Sequence, residues 1–225
     1  MKRNSTLLYI IGLAVVPSIG NAQSWLTAAP TATSYYGGSL INFKNDSTGT
    51  LLLTGHFDLN LSGPGGSANS YQVYSKSSAL SGNETDASLW TLLGTASVSS
   101  SNPQGTFTTI DVNNTLAVAA GQTIGLAFFI STGLDGNGNA PSNGFIGYRS
   151  GANSYTDGTA TISTGMTKGY RGGYSPTADQ LFDVDTFNPR SWSGRVEYAA
   201  VPEPTSLAAI GIFAIGFFAK KRKRS

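Results

Sequence analysis

The chain contains no cysteine, one histidine and few charges: 12% of its 225 residues are Asp, Glu, Lys or Arg. Without cysteine there are no disulfides and no thiolate metal sites. With His56 as the sole histidine, zinc sites and Ser-His or Cys-His nucleophile pairs have little to be built from. Residues 23–200 also lack a helical hydrophobic period and any long apolar run. What is abundant is glycine, 28 residues, together with Ser, Thr and Asn, a composition of turns and short strands. A cysteine-free exported chain must draw its stability from an apolar core.

The two apolar runs lie at the ends. Lys2 and Arg3 precede an apolar stretch at 7–16, then Pro17 and the small residues Gly20, Asn21 and Ala22. This order predicts a secretory signal peptide over residues 1–22, cut between Ala22 and Gln23. At the other end, residues 205–219 carry no charge and precede Lys220, Lys221, Arg222, Lys223 and Arg224. Fifteen residues as a helix span about 23 Å against a hydrocarbon core of about 30 Å, a short span that snorkelling lysines and bilayer thinning can accommodate. The expectation is a single C-terminal transmembrane helix with its basic stop in the cytoplasm and the body outside.

Charge divides the same way. Residues 23–200 hold seven basic and eleven acidic residues, a net charge of −4, whereas the whole chain is formally +2. A mildly acidic body offers no nucleic-acid surface.

Val201, Pro202, Glu203 and Pro204, followed by the apolar stretch and the terminal basic cluster, resemble the PEP-CTERM sorting signal of Gram-negative bacteria. The resemblance covers about the last 25 residues. It implies recognition by a membrane-embedded exosortase, cleavage near the Pro-Glu-Pro triplet, and release or transfer to the surface. The family accompanies exopolysaccharide and biofilm genes. Two prolines hold the stretch around Glu203 extended and block a helix upstream, which suits an enzyme working at the membrane face.

Residues 51–61 alternate in the strand manner: Leu51, Leu53, Phe57, Leu59 and Leu61 on one face, Thr54, His56, Asp58 and Asn60 on the other. In 123–131, Ile124, Leu126, Phe128 and Ile130 share a face with Phe129 opposite, which predicts a strand buried on both sides. Further strands are expected at 39–43, 71–76, 89–99, 106–112, 145–149, 159–164 and 192–199, with 28–36 as a loose lead-in. Gly- and Asn-rich turns separate them. Nine or ten short antiparallel strands predict an all-β body over 23–200, a β-sandwich or jelly roll. The segments WTLLGTASV, VAAGQTIGLAFFIS and FNPRSWSGRVEY are similar to a recurring pattern in bacterial secreted β-sandwich modules, which implies a fold and no catalytic residue.

Several residues are candidates for chemistry. Asp135, Asn137 and Asn139 space oxygen ligands as calcium loops do, but Ile146 stands where an EF-hand needs its Glu, so a loose Ca²⁺ site competes with a plain Gly/Asn turn. A polysaccharide hydrolase needs two facing carboxylates, for which Asp58, Asp183, Asp185 and Glu197 are available; Asp183 and Asp185 are expected on one strand face. Tyr35, Tyr36, Tyr148, Tyr155, Tyr170 and Tyr174 could stack on sugars, and Tyr170, Arg171 and Tyr174 could hold a glycan or an acidic polymer. His56 is expected as surface decoration. The leading expectation is a non-enzymatic exported protein of the cell surface or extracellular matrix, structural or adhesive, associated with exopolysaccharide. A carbohydrate- or Ca²⁺-binding module and a secreted polysaccharide-degrading enzyme are the alternatives.

Overall fold

The computed structural model describes residues 22–63, 68–82, 84–132, 137, 139–170 and 176–202. Residues 1–21, which hold most of the expected signal peptide, residues 203–225, Asp135, Arg171 and Tyr174 lie outside the described residues.

The described body is all-β, with antiparallel pairing throughout. In chain order the strands are β1 (Gln23–Ala28), β2 (Ser34–Tyr36), β3 (Gly38–Asn45), β4 (Leu51–Asn60), β5 (Asn69–Lys76), β6 (Thr91–Val98), β7 (Phe107–Asp111), β8 (Leu116–Val118), β9 (Thr123–Ile130), β10 (Ile146–Ser150), β11 (Ser154–Thr156), β12 (Ala160–Lys168), β13 (Thr186–Trp192) and β14 (Gly194–Ala200). A 3₁₀ turn at Ala87–Leu89 and one short helix, α1 (Ala178–Phe182), interrupt them. Fourteen strands exceed the nine or ten expected. The excess comes from β1, which occupies what reads as signal-flanking sequence, from the three-residue strands β2, β8 and β11, too short to show a period of two, and from β13, whose Asn188, Pro189 and Arg190 break the alternation.

A five-stranded sheet runs β1-β14-β4-β7 with β8 also on β4; a nine-stranded sheet runs β2-β10-β13-β12-β3-β9-β5-β6 with β11 on β12. β7 and β8 share one edge of β4, at His56–Asn60 and Leu51–Leu53. Between them Gly55 has φ +90°, and a Cβ there would lie 2.4 Å from Asn114 O, so only glycine lets the β7–β8 connection pass.

The inner faces of both sheets share one core, with Leu51, Leu53, Phe57 and Leu59 from β4 facing Ile41, Phe43, Leu126 and Phe128 from the other sheet. Phe128 stacks on Trp192 at 4.7 Å and meets Phe57 edge-on at 5.1 Å. The chain changes sheets at Ser193, between β13 and β14. Its N–H donates to Gly147 O at 3.0 Å and its carbonyl accepts from Asn60 N–H at 3.2 Å.

β9 is buried on both faces, as its sequence predicts. Ala127 and Phe129 belong to a second apolar cluster on the outer side of the nine-stranded sheet, with Leu40, Tyr74, Met166, Trp90, Leu181 and Phe182. The cover is α1, an element whose five residues are too few to display a helical period. Thr177 opens it with a capping box: its hydroxyl accepts from Gln180 N–H at 3.4 Å, and Gln180 Oε1 accepts from Thr177 N–H at 3.0 Å. Phe182 then packs on Phe129 at 4.9 Å, Trp90 at 5.1 Å and Tyr74 at 5.4 Å.

Candidate functional site

The chemistry-bearing side chains gather in three places. The first is the outer face of the five-stranded sheet. The antiparallel register sets Arg195 of β14 opposite Asp58 of β4, and Asp58 opposite Thr109 of β7. Arg195 donates twice to Asp58 Oδ2, with the Nε contact at 2.6 Å, and Thr109 donates to Asp58 Oδ1 at 2.6 Å. The guanidinium lies between two rings, 5.0 Å from the Trp25 centroid and 4.9 Å from that of Phe107. Asp58 is thereby 1% exposed on a face that otherwise meets solvent. Pairing and hydrogen bonding are what make burial of that carboxylate tolerable.

His56 belongs to the same face and is more than decoration. Its Nδ1 is 2.9 Å from Glu197 Oε2 and its Nε2 3.1 Å from Asp111 Oδ2, while Thr54 donates to Glu197 Oε2 at 2.6 Å. A neutral imidazole has one N–H and can donate to one of these carboxylates; the protonated ring can donate to both. The imidazole thus bridges β14, β4 and β7. Asp58 and Glu197 share this face, but each is committed to its own partners.

The second place is an open cleft of about 420 Å³ lined by Gly169, Tyr170, Asp183, Val184 and Asp185. The expectation that Asp183 and Asp185 alternate along a strand is overturned. Asp183 is the C-cap of α1, its N–H donating to Asp179 O at 2.8 Å, and Asp185 lies in the connection to β13, its carbonyl accepting from Gly169 N–H at 2.9 Å. The capping box and the anchoring of Leu181 and Phe182 in the second cluster impose a helical turn where alternation suggested a strand. Both acids nonetheless line the cleft, with Tyr170, whose hydroxyl donates to Thr132 O at 2.9 Å. Burial raises the Tyr170 pKa above its ordinary value.

An aromatic stack adjoins this cleft through the chain. Tyr36 lies between Tyr148 (5.3 Å, 9° between planes) and Phe187 (4.9 Å, 18°), and the Arg190 guanidinium sits 5.6 Å over Tyr148. Gly37, next to Tyr36, approaches so closely that a Cβ would lie 2.6 Å from both Gly169 O and Tyr170 Cα. Of the six tyrosines expected as a sugar surface, Tyr36, Tyr148 and Tyr170 are drawn to this end. Tyr35 hydrogen-bonds Asn60 instead, and Tyr155 packs against the main core on β11.

Beneath α1 lies a cation that no sequence pattern singled out. Lys168 is fully buried, its Nζ donating to Phe182 O at 2.9 Å and to Thr186 Oγ1 at 2.7 Å. It satisfies an otherwise orphaned carbonyl at the end of α1. Burial pulls its pKa down to about 8, against opposing attraction from Glu84 and Asp183. Glu84 is 2% exposed and lies 2.9 Å from Lys76 Nζ. Burial pushes its carboxyl up, but hydrogen bonds from Ser81 and Lys76 outweigh that and hold it below its usual range.

The third place is where the chain enters and leaves. β1 pairs with β14 over its full length, with Gln23 opposite Ala199, so the start of the first strand and the end of the last stand side by side. Ala22 and Gln23 are exposed. Val201 N–H donates to Thr50 O at 2.9 Å, and Val201 and Pro202 are exposed beyond it. Nearby, Tyr198 donates to Asp157 Oδ2 at 2.5 Å; burial first and then that carboxylate push its hydroxyl up to about 12.

No family model matches this chain, and no curated protein does. Among solved structures, one titled as the structure of infectious bursal disease virus, Gt strain, is similar to it at 13% identity with a TM-score of 0.27. That likeness covers 88% of this chain and 46% of the other, so this chain spans less than half of that one's length. At that level nothing about function carries over.

Asn137 and Asn139 are exposed. Among the described residues no group of three or more His, Asp or Glu side chains is poised to hold a metal ion, and no helix is long and apolar enough to cross a membrane.

Proposed function

We propose that this chain is an exported protein of the cell surface or extracellular matrix, sorted by a C-terminal PEP-CTERM-type signal and structural or adhesive rather than catalytic in role. The observation that carries this reading is the order of residues 201–225: Val-Pro-Glu-Pro, an uncharged apolar run, then five cations. The pairing of Gln23 with Ala199 supports it, because a signal removed before Gln23 and an anchor beginning after Pro204 would leave the body from one end. On this reading an exosortase-type enzyme is the processing partner, the membrane is a transient one, and exopolysaccharide is the medium in which the body acts. The test compares the mature C-terminus by mass spectrometry in cells with and without the exosortase. Loss of the tail only where the enzyme is present supports sorting; an intact tail in released protein refutes it.

The cleft beside Tyr170 and the Tyr36–Tyr148–Phe187 stack favour a second reading, a carbohydrate-binding module. Polysaccharide pull-down that disappears in the double variant Tyr170→Ala plus Tyr174→Ala supports it. A polysaccharide-degrading enzyme would instead lose turnover in Asp183→Asn, with binding retained.

A further inference from the structure

We infer that the folded body sets the upstream limit of C-terminal processing: the cut falls at or beyond the Pro204–Thr205 bond and leaves the Pro-Glu-Pro triplet on the mature protein. This rests on the sorting reading above and adds to it a position and a cause.

The cause is the place of β14 in the sheet. It is an interior strand, flanked by β1 and β4. Ala199 pairs with Gln23 on one side and Leu52 on the other, and Ala200 pairs with Leu51. Tyr198 and Ala199 are 4% and 5% exposed, and the Tyr198 hydroxyl is tied to Asp157. Among the described residues the last backbone bond, from Val201 N–H to Thr50 O, lies one residue before Pro202. No linker separates the sheet from the motif.

A peptidase that reads an extended substrate engages it as an added strand, through main-chain hydrogen bonds over several residues. Those residues must be free of other pairing. A cut between Val201 and Pro204 would draw on the backbone of residues 198–201, of which Tyr198 and Ala199 are paired with both β1 and β4, and Ala200 and Val201 are held on the β4 side. Engagement there would require stripping β14 from two neighbours and withdrawing Tyr198 from the core. Pro202, Glu203 and Pro204 follow Val201 directly in the sequence. Neither proline has an N–H, so Glu203 supplies the only backbone donor and the only charged side chain of the triplet. The triplet then serves as the upstream grip and the scissile bond follows it. In that step water adds across the Pro204–Thr205 amide. The hydroxyl goes to the Pro204 carbonyl carbon and the proton to the departing Thr205 nitrogen, releasing residues 205–225 as a separate peptide.

The experiment uses the full chain in cells that contain an exosortase-type enzyme and in matched cells that lack it, with the C-terminal peptide of the body mapped by mass spectrometry. The expected mature end is Pro204 or a later residue in the first and Ser225 in the second. A second variant inserts a short Gly-Ser spacer between Val201 and Pro202. It should be cut at the same bond relative to Pro204 and severalfold faster, since the sheet no longer crowds the motif. A wild-type end at residue 203 or earlier overturns the inference while leaving sorting intact, and so does a spacer without effect on the rate. A tail intact in both cell lines sinks the sorting reading and this inference together, a result distinct from a misplaced cut.

Discussion

The two sheets present inner faces to one core and opposite solutions on their outer faces. Outside the five-stranded sheet, Arg195, His56 and Asp111 reach water while Asp58 and Glu197 are buried, and the carboxylates are held by partners from neighbouring strands. Outside the nine-stranded sheet, Leu40, Tyr74, Phe129 and Met166 would face solvent were it not for α1 and the 3₁₀ turn above them. The first face tolerates buried charge because each carboxylate has a donor. The second buries Lys168 beneath its cover, where carbonyl and hydroxyl acceptors stand in for water and the ammonium is destabilised enough to lower its pKa. Polar pairing organises one face and apolar burial the other.

That contrast predicts a ranking of damage. The largest loss is expected from Phe182→Ala, which empties the centre of the cover: about 3–5 kcal/mol in urea or thermal unfolding, with Tyr74 and Trp90 newly exposed. If this variant loses less than His56→Ala, the cover is not what stabilises that face.

The next effect is in pH. Lys168 has a folded pKa of about 8 against an ordinary 10.5. Between those values the unfolded chain binds more protons than the folded one, so stability rises with pH across the window and is flat for this group below it. The gain is at most about 3 kcal/mol. Tyr71 and Tyr198, whose pKa values burial raises from 10.0, oppose it above that pH. Unfolding measured from pH 7.5 to 10 should therefore show a rise in the natural chain and none in Lys168→Met.

On the open face, Asp58→Ala leaves Arg195 without its acceptor between Trp25 and Phe107. Arg195 is part-exposed and can turn to water, so the cost is smaller, about 2 kcal/mol. Smallest is His56→Ala, under about 1 kcal/mol, because the ring is 40% exposed and its bonds are those of a surface cluster. A double-mutant cycle between His56 and Glu197 should give a coupling in the same range. Coupling near zero would mean that the bridge does not act as a unit.

Much of the architecture was legible in local pattern. The alternation of β4 and the two-faced burial of β9 were visible because a strand's period of two records which faces are covered. The cover itself was not legible. α1 is one short turn, and its signal is the Thr177–Gln180 capping pair before Leu181 and Phe182, which a search for longer periods passes over. The same oversight put Asp183 and Asp185 on a strand. The bridge at His56 was hidden for another reason: Glu197 lies 141 residues away and Asp111 lies 55 away. Alternation placed His56 on a polar face, and only register could say who stands opposite. Lys168 was equally silent, since nothing in its neighbours marks a lysine that will be roofed over.

The sequence by itself determined the all-β character, the strand faces, the acidity of the body and the unlike chemistry of its two ends, all properties written in the order of neighbouring residues. Only the tertiary structure decided that β1 and β14 lie together, that Asp58 and Glu197 are satisfied while still facing outward, and that one sheet is roofed and the other bare. Those depend on strand pairings across the length of the chain, and the energy of a contact between distant residues leaves no trace in the spacing of near ones.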